Sequence, residues 1–287
     1  TSKRVVLRVC YDGITHFSHM PVTGTTGFDM YIFANGKYSY AGSFIPPVDC
    51  GNSFDSEIIL PDNSLRDITI NFPLYNSVKT VFIGLEENAE LLPTDGYMNK
   101  KPIVYYGSSI TQGGCASRPG NSYQALISRR FNIDYYNFGF SGSALGEIPM
   151  AEYIADLPMS LFFLDYDHNS PTPEHLKAHH ENFFLTVRKK NPNLPVIMAT
   201  KTDIPRSPDA ERDTEARRRV VCETYENALK RGDRNVMFID GGTVFTNALD
   251  RSAPADSCTV DGCHPNDLGF ACMARVYGDA IKNMLKL

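Results

Sequence analysis

From Pro102 to the C-terminus, short apolar runs alternate with long amphipathic stretches, and this alternation constrains the fold more than any other feature of the chain. Pro102–Tyr106 (PIVYY), Tyr135–Phe140, Leu161–Leu164 (LFFL), Val196–Ala199 and Val236–Ile239 (VMFI) have the length and composition of buried strands. Ser122–Arg130, Pro173–Lys190, Pro208–Arg231 and Asp267–Leu287 read as helices between and after them. Parallel strands need crossover connections, and runs apolar on both sides need cover on both faces. The expected fold is therefore α/β, a three-layer α/β/α arrangement around a mostly parallel sheet. In such sheets functional groups gather beyond the carboxyl ends of the strands.

The first third follows a different pattern. Arg4–Val9 (RVVLRV), Gly27–Phe33 (GFDMYIF), Tyr38–Ser43, Asp67–Phe72 (DITINF) and Val78–Ile83 (VKTVFI) are short β-branched or aromatic segments. Turn formers such as Asn35-Gly36 and Pro46-Pro47 separate them. Short strands divided this way predict a β-sandwich. Glu86–Lys101 is polar, with Asp95-Gly96 as a turn. The expected organisation is a smaller N-terminal sandwich over 1–93, a linker over 94–100 and a second domain over 101–287.

Composition removes several function classes. A net charge of −5 argues against nucleic acid as the main partner, because phosphate binding favours a basic face. No apolar run approaches the roughly 20 residues that span a bilayer. Seven scattered cysteines contain no CxxC pair, which leaves a zinc-ribbon or thioredoxin reading without support. Cys258 and Cys263 are near enough in sequence to pair, but free thiols in a reducing, cytoplasmic compartment are the simpler expectation. Thr1 rather than Met opens the sequence, so a secreted or periplasmic protein stripped of its leader stays open.

Four strand ends carry residues that could do chemistry. Tyr106-Gly107-Ser108-Ser109-Ile110-Thr111 follows the first strand of the second domain. Gly107 permits a tight turn, and a serine near the next helix start can be a nucleophile beside backbone N–H groups or simply a cap. Val260-Asp261-Gly262-Cys263-His264-Pro265 precedes the last helix. A serine nucleophile needs a base, and the base needs a carboxylate to fix its tautomer. Asp261 and His264, three apart in a turn-like segment, can supply both. Gly142, after the second strand, could offer an unobstructed N–H to an oxyanion, and Asn169, after the third, could aim its amide at the same oxygen. Taken singly, these are also an Asp cap, a surface histidine, a turn glycine and a loop asparagine.

In the order Ser, Gly, Asn, Asp-x-x-His, these residues resemble the SGNH/GDSL hydrolase family, with its G-D-S-[LI] block, oxyanion Gly, G-x-N-D block and terminal D-x-x-H. Ser109, Gly142, Asn169, Asp261 and His264 fall on those positions. Ser108 replaces the Asp of the first block, and Asp167 and Ser170 replace the Gly and final Asp of the third. The stretches YGSSITQGGCAS, LDYDHNSP and TVDGCHPNDLGF are similar to a branch with an N-terminal sandwich bearing G-F-D-[LM]-Y, here Gly27-Phe28-Asp29-Met30-Tyr31. Relatives of that branch often begin the sandwich further upstream, which implies first strands outside this sequence.

The resemblance implies a serine esterase acting through an acyl-enzyme on a short acyl group, acetyl above all, carried by a small molecule or an oligosaccharide. Ser109, Asp261 and His264 would be catalytic, with the Ser109 and Gly142 N–H groups and the Asn169 amide as the oxyanion hole. No metal or organic cofactor is required. Asp167, His168 and Lys201 follow strands on the same face and are candidate polar substrate contacts. Acyl transfer to an acceptor other than water, and a carbohydrate-binding protein without catalysis, are the alternatives. Other clusters have plainer readings. His175, His179 and His180 fit a solvated helix face better than a metal site, since no H-E-x-x-H accompanies them. Arg217, Arg218 and Arg219 lie among acids and read as a salt-bridged surface. Cys115 lies near the nucleophile without a cysteine-specific motif.

Overall fold

A computed structural model describes residues 1–202, 204, 207–249 and 254–287. The N-terminal part holds β1 (Arg4–Tyr11), the one-turn helix α1 (Val22–Thr25), β2 (Phe28–Ala34), β3 (Lys37–Phe44), β4 (Ser53–Ile59), β5 (Asp67–Asn71) and β6 (Val78–Gly84). These form two antiparallel three-stranded sheets, ordered β4-β1-β6 and β3-β2-β5. Alternate residues of β1, Val5, Leu7, Val9 and Tyr11, point into a shared core with Phe28, Met30, Phe44, Phe54 and Ile58. The inward period of two makes the sandwich expected from the turn-divided strands. Strand β4 was not expected. Only Phe54 and Ile58 of SFDSEII are buried, and its two acids depress strand propensity. They are tolerated because Asp55 lies opposite Arg8 and pairs with it at 2.7 Å, while Glu57 pairs with Arg4.

The remainder alternates as expected: β7 (Asn99–Gly107), α2 (Ser109–Gln112), α3 (Tyr123–Phe131), β8 (Ile133–Gly139), α4 (Ile148–Ala155), β9 (Leu161–Asp165), α5 (Pro173–Lys190), β10 (Val196–Ala199), α6 (Pro208–Lys230), β11 (Val236–Ile239), α7 (Val244–Ala248) and α8 (Asp267–Leu285). Capping side chains set several helix starts. Ser122, Thr172, Ser207 and Asn266 each accept a backbone N–H of the helix that follows, and Pro173 and Pro208 occupy the first turn, where no N–H is needed. Helix α4 lies in a stretch that periodicity left unassigned.

The five parallel strands are ordered β11-β10-β9-β7-β8. Ile103, Tyr105, Leu161, Phe163 and Ile197 face α3 and α8, against Tyr123, Ile127, Phe270 and Tyr277. Their neighbours Val104, Tyr106, Phe162, Leu164 and Met198 face α4, α5 and α6, against Ile154, Phe183, Phe184 and Val221. Burial on both faces is why these strands read as unbroken apolar runs. Each fully buried side chain of this size contributes about 1.5–3 kcal/mol. The chain leaves β7 for β8 on one side and returns to β9 on the other. The strand order therefore reverses at β7, the position at whose carboxyl end open α/β sheets gather functional groups. Among the described residues, no helix is long and apolar enough to cross a membrane.

Candidate active site

The carboxyl end of β7 is built around Gly107. A Cβ there would lie 2.0 Å from Thr111 Oγ1 and 2.2 Å from the Asp165 carbonyl oxygen, so only glycine lets the strand turn into α2 at this closeness. Ser108 caps α2 by accepting the Ile110 N–H at 3.1 Å. Ser109 follows as the first helical residue, with its own N–H at a position that has no partner within the helix. The two serines divide the readings the sequence left open: Ser108 is the cap, and Ser109 turns its hydroxyl toward His264.

The segment before α8 forms a small hairpin. Thr259 and Pro265 bridge, the Val260 N–H donates to the His264 carbonyl at 2.9 Å, and Gly262 turns the chain with φ +84. Asp261 Oδ1 accepts the Cys263 and His264 N–H groups at 2.9 and 2.7 Å, an Asx-type turn. That leaves Oδ2 for the His264 ring, with Nδ1 at 2.8 Å. Partial burial would raise the Asp261 carboxyl, but the His264 and Cys263 N–H groups and the imidazole outweigh it and hold it at about 2. His264 Nε2 then lies 3.0 Å from Ser109 Oγ across 155 residues of sequence. A hydroxyl, a ring nitrogen able to take its proton and an ionised carboxylate on the other nitrogen thus stand in line.

Strands β8 and β9 flank β7, and their loops carry Gly142 and Asn169. Gly142 has φ +67 and lies in the open, with nothing within 4 Å of the point a Cβ would occupy. The turn's own bonds, Ser141 N to Gln112 Oε1 and Ser143 N to Phe140 O, do not use its N–H. Asn169 Nδ2 donates to Phe140 O at 2.8 Å, which ties the two loops together and leaves the amide its second hydrogen.

Several of the residues singled out in the sequence are tied into the fold. Asp167 is 2% exposed; its Oδ1 takes the His168 ring at 3.2 Å and its Oδ2 the Lys201 N–H at 3.3 Å. Burial would raise this carboxyl, but those partners hold it below the usual range. Asp167 and His168 are thus tied to each other and to the β10 end beside the Asn169 turn. Lys201 lines a charged groove with Lys177, Arg218 and Asp240 at the end of β10, two strands from Ser109. Nor are the three arginines of α6 all on the surface. Arg217 is buried and donates to the Asp167 and Ser170 carbonyls at 2.7 and 2.8 Å, fixing the same turn. His180 is likewise buried, hydrogen-bonded to Thr224, and burial pushes it down to about 4. None of the seven cysteines is in a disulfide, Cys258 and Cys263 included.

The N-terminal part of the chain reaches the residues around Ser109 and His264, which no spacing in the sequence signalled. Tyr75 Oη donates to the Ser109 carbonyl at 3.2 Å. Asp29, within the Gly-Phe-Asp stretch, is fully buried and takes Arg118 at 2.8 Å and the Gly120 N–H at 2.9 Å, just beyond α2. The His19 ring packs 5.3 Å from that of His264.

Comparison with known proteins places both parts of the chain in known families. The model of the GDSL-like lipase/acylhydrolase family matches residues 100–282, and that of the N-terminus of SGNH-hydrolase-type esterases matches 1–91. No curated protein matches. A Bacteroides ovatus protein described as a GDSL-like lipase is 29% identical, with TM-score 0.89 over 99% of this chain and 82% of that one. A salicylyl-acyltransferase from a tetracycline biosynthetic pathway is 20% identical, with TM-score 0.73 over 98% and 82% of the two chains. A family two carbohydrate esterase from Clostridium thermocellum is 13% identical, with TM-score 0.69 over 99% and 90%. The last two likenesses are of fold.

Proposed function

Because the chain belongs to the GDSL-like lipase/acylhydrolase family, we propose that it is a serine esterase that removes short acyl groups, acetyl above all, from a carbohydrate. The observation that carries this reading is the relay Ser109 Oγ–His264 Nε2, His264 Nδ1–Asp261 Oδ2, at 3.0 and 2.8 Å. His264 takes the Ser109 proton as the hydroxyl oxygen attacks the ester carbonyl. Asp261 keeps the other ring proton on Nδ1 and stabilises the imidazolium. The Ser109 and Gly142 N–H groups and the Asn169 amide receive the oxyanion. Collapse expels the alcohol, protonated by His264, and leaves the acyl group on Ser109. Water, deprotonated by His264, then releases the acid. No step calls for a metal or an organic cofactor. For the alcohol side, a Clostridium thermocellum carbohydrate esterase of the same fold is solved with cellohexaose, which supports a sugar.

The test is hydrolysis of acetylated sugars together with an aryl acetate, butyrate and octanoate series. kcat/KM should fall with chain length, because an acetyl site gains little of the roughly 0.8 kcal/mol that each buried CH₂ contributes in an apolar groove. Ser109→Ala and His264→Ala should each abolish most activity in folded protein, and the double variant should lose hardly more than either, since the two act as a unit. Near wild-type turnover by folded Ser109→Ala would overturn the mechanism, and rates rising toward octanoate would overturn the acetyl assignment. Product analysis with added alcohols separates hydrolysis from acyl transfer.

A further inference from the structure

Among the described residues, one group of imidazole and carboxylate side chains converges closely enough to chelate a cation. His19, Asp261 and His264 each bring a potential ligand atom within 4.8 Å of the other two. Asp261 and His264 belong to the serine relay, whereas His19 comes from the loop between β1 and α1. We propose that these three side chains form an inhibitory binding site for a divalent zinc-like cation, which switches the relay off by occupying its base.

The placement of His19 is held from both sides. Its carbonyl accepts the Cys115 Sγ–H at 3.3 Å, next to the nucleophile helix, and its ring lies between those of His264 and Phe17 at 5.3 and 6.4 Å. All three side chains are half-buried, so solvent and ions reach them. Two imidazoles and a carboxylate, with a fourth position left for water, form a zinc ligand set. Tetrahedral bonds of about 2.0–2.2 Å place ligand atoms roughly 3.4 Å apart. Side-chain rotations that bring the three inward, with Asp261 Oδ2 exchanging the His264 ring for the metal, close the difference.

Either nitrogen of His264 gives the same outcome. Ligation through Nε2 consumes the lone pair that must accept the Ser109 proton. Ligation through Nδ1 moves the ring proton to Nε2, which can then only donate. Inhibition rests on the reading of Ser109 and His264 as nucleophile and base; cation binding does not.

The experiment uses the full chain, stripped with EDTA and desalted, with zinc chloride as the probe. Aryl acetate hydrolysis is read against each variant's own zinc-free rate. Calorimetry is run on Ser109→Ala, which keeps all three ligands. We expect inhibition reversed by EDTA, and one zinc per chain whose binding depends on His19. Loss of even an outer partner of a metal ligand costs about 10–100-fold in affinity, so His19→Gln should weaken zinc binding at least that much. His179→Gln, which breaks the stacked His175–His179 pair on α5, should leave it unchanged. Absence of zinc binding, unchanged affinity in His19→Gln, or dependence on His179 would each overturn the proposal. His19-dependent binding in a chain that hydrolyses no ester would support the site and overturn the esterase reading instead.

Discussion

Replacing Asp261 by Asn tests the relay without removing an atom from its frame. Asp261 Oδ1 accepts two backbone N–H groups, from Cys263 and His264, at 2.9 and 2.7 Å. An Asn amide must keep its oxygen there, because turning its NH₂ toward two donors would leave all three unsatisfied. The NH₂ is then forced toward His264 Nδ1, now 2.8 Å from the carboxylate oxygen it replaces. Nδ1 must accept instead of donate, so the ring proton moves to Nε2, which faces Ser109 Oγ at 3.0 Å. The base is left holding a proton where it needs a lone pair. The corresponding change in a serine protease lowers kcat about 10⁴-fold, which is about 5.4 kcal/mol at 1.36 kcal/mol per factor of ten. We expect a loss of that order in kcat for aryl acetate hydrolysis, with KM nearly constant. The turn bonds survive, so thermal unfolding followed by circular dichroism should shift by only a few degrees. Asp261→Ala, by contrast, strands both amides and should lose stability as well as rate. Because the wild-type carboxyl sits at about 2, it stays ionised throughout an assay from pH 5 to 9, and the acid limb of the profile reports another group. Asp261→Asn within tenfold of wild type, while Ser109→Ala is inactive, would refute the claim that Asp261 sets the tautomer.

Asn169→Ala should lower kcat by about 100- to 1,000-fold, roughly 2.7–4 kcal/mol, since an oxyanion contact strengthens as charge develops; a change confined to KM would make Asn169 a ground-state contact. Gly107→Ala drives a Cβ into the Thr111 hydroxyl and the Asp165 carbonyl, so a destabilisation of about 1–3 kcal/mol or more is expected in urea unfolding. It should also cost rate, because shifting the nucleophile by about 1 Å can cost 100-fold; an unchanged midpoint would show that the turn can relax.

Much of this molecule is set by interactions that span only a few residues, and these are legible in the chain. The apolar runs of β7 to β11 announce a sheet buried on both faces, and Ser122, Thr172, Ser207 and Asn266 mark helix starts through bonds two or three residues long. The Asp261–His264 turn is equally local, since the carboxylate that orients the ring also folds the four residues holding both. What the sequence could not decide depends on which elements become neighbours. Strand order places Ser109 against His264, brings the Gly142 and Asn169 loops to either side of β7, and puts Lys201 two strands away. Burial likewise belongs to the assembled layers. Arg217, Asp167 and His180 carry the residue types of a solvated surface, yet α6 packing on the Asn169 turn encloses them, and their partners there make the enclosure tolerable. Strand β4 depends on Arg8 arriving opposite Asp55 and on Arg4 pairing with Glu57, and His19 meets His264 where Asp29 and Tyr75 dock the sandwich against the loops around α2. Turn, cap and periodicity act along the chain, whereas desolvation and cross-sheet pairing act between segments whose separation no local pattern encodes.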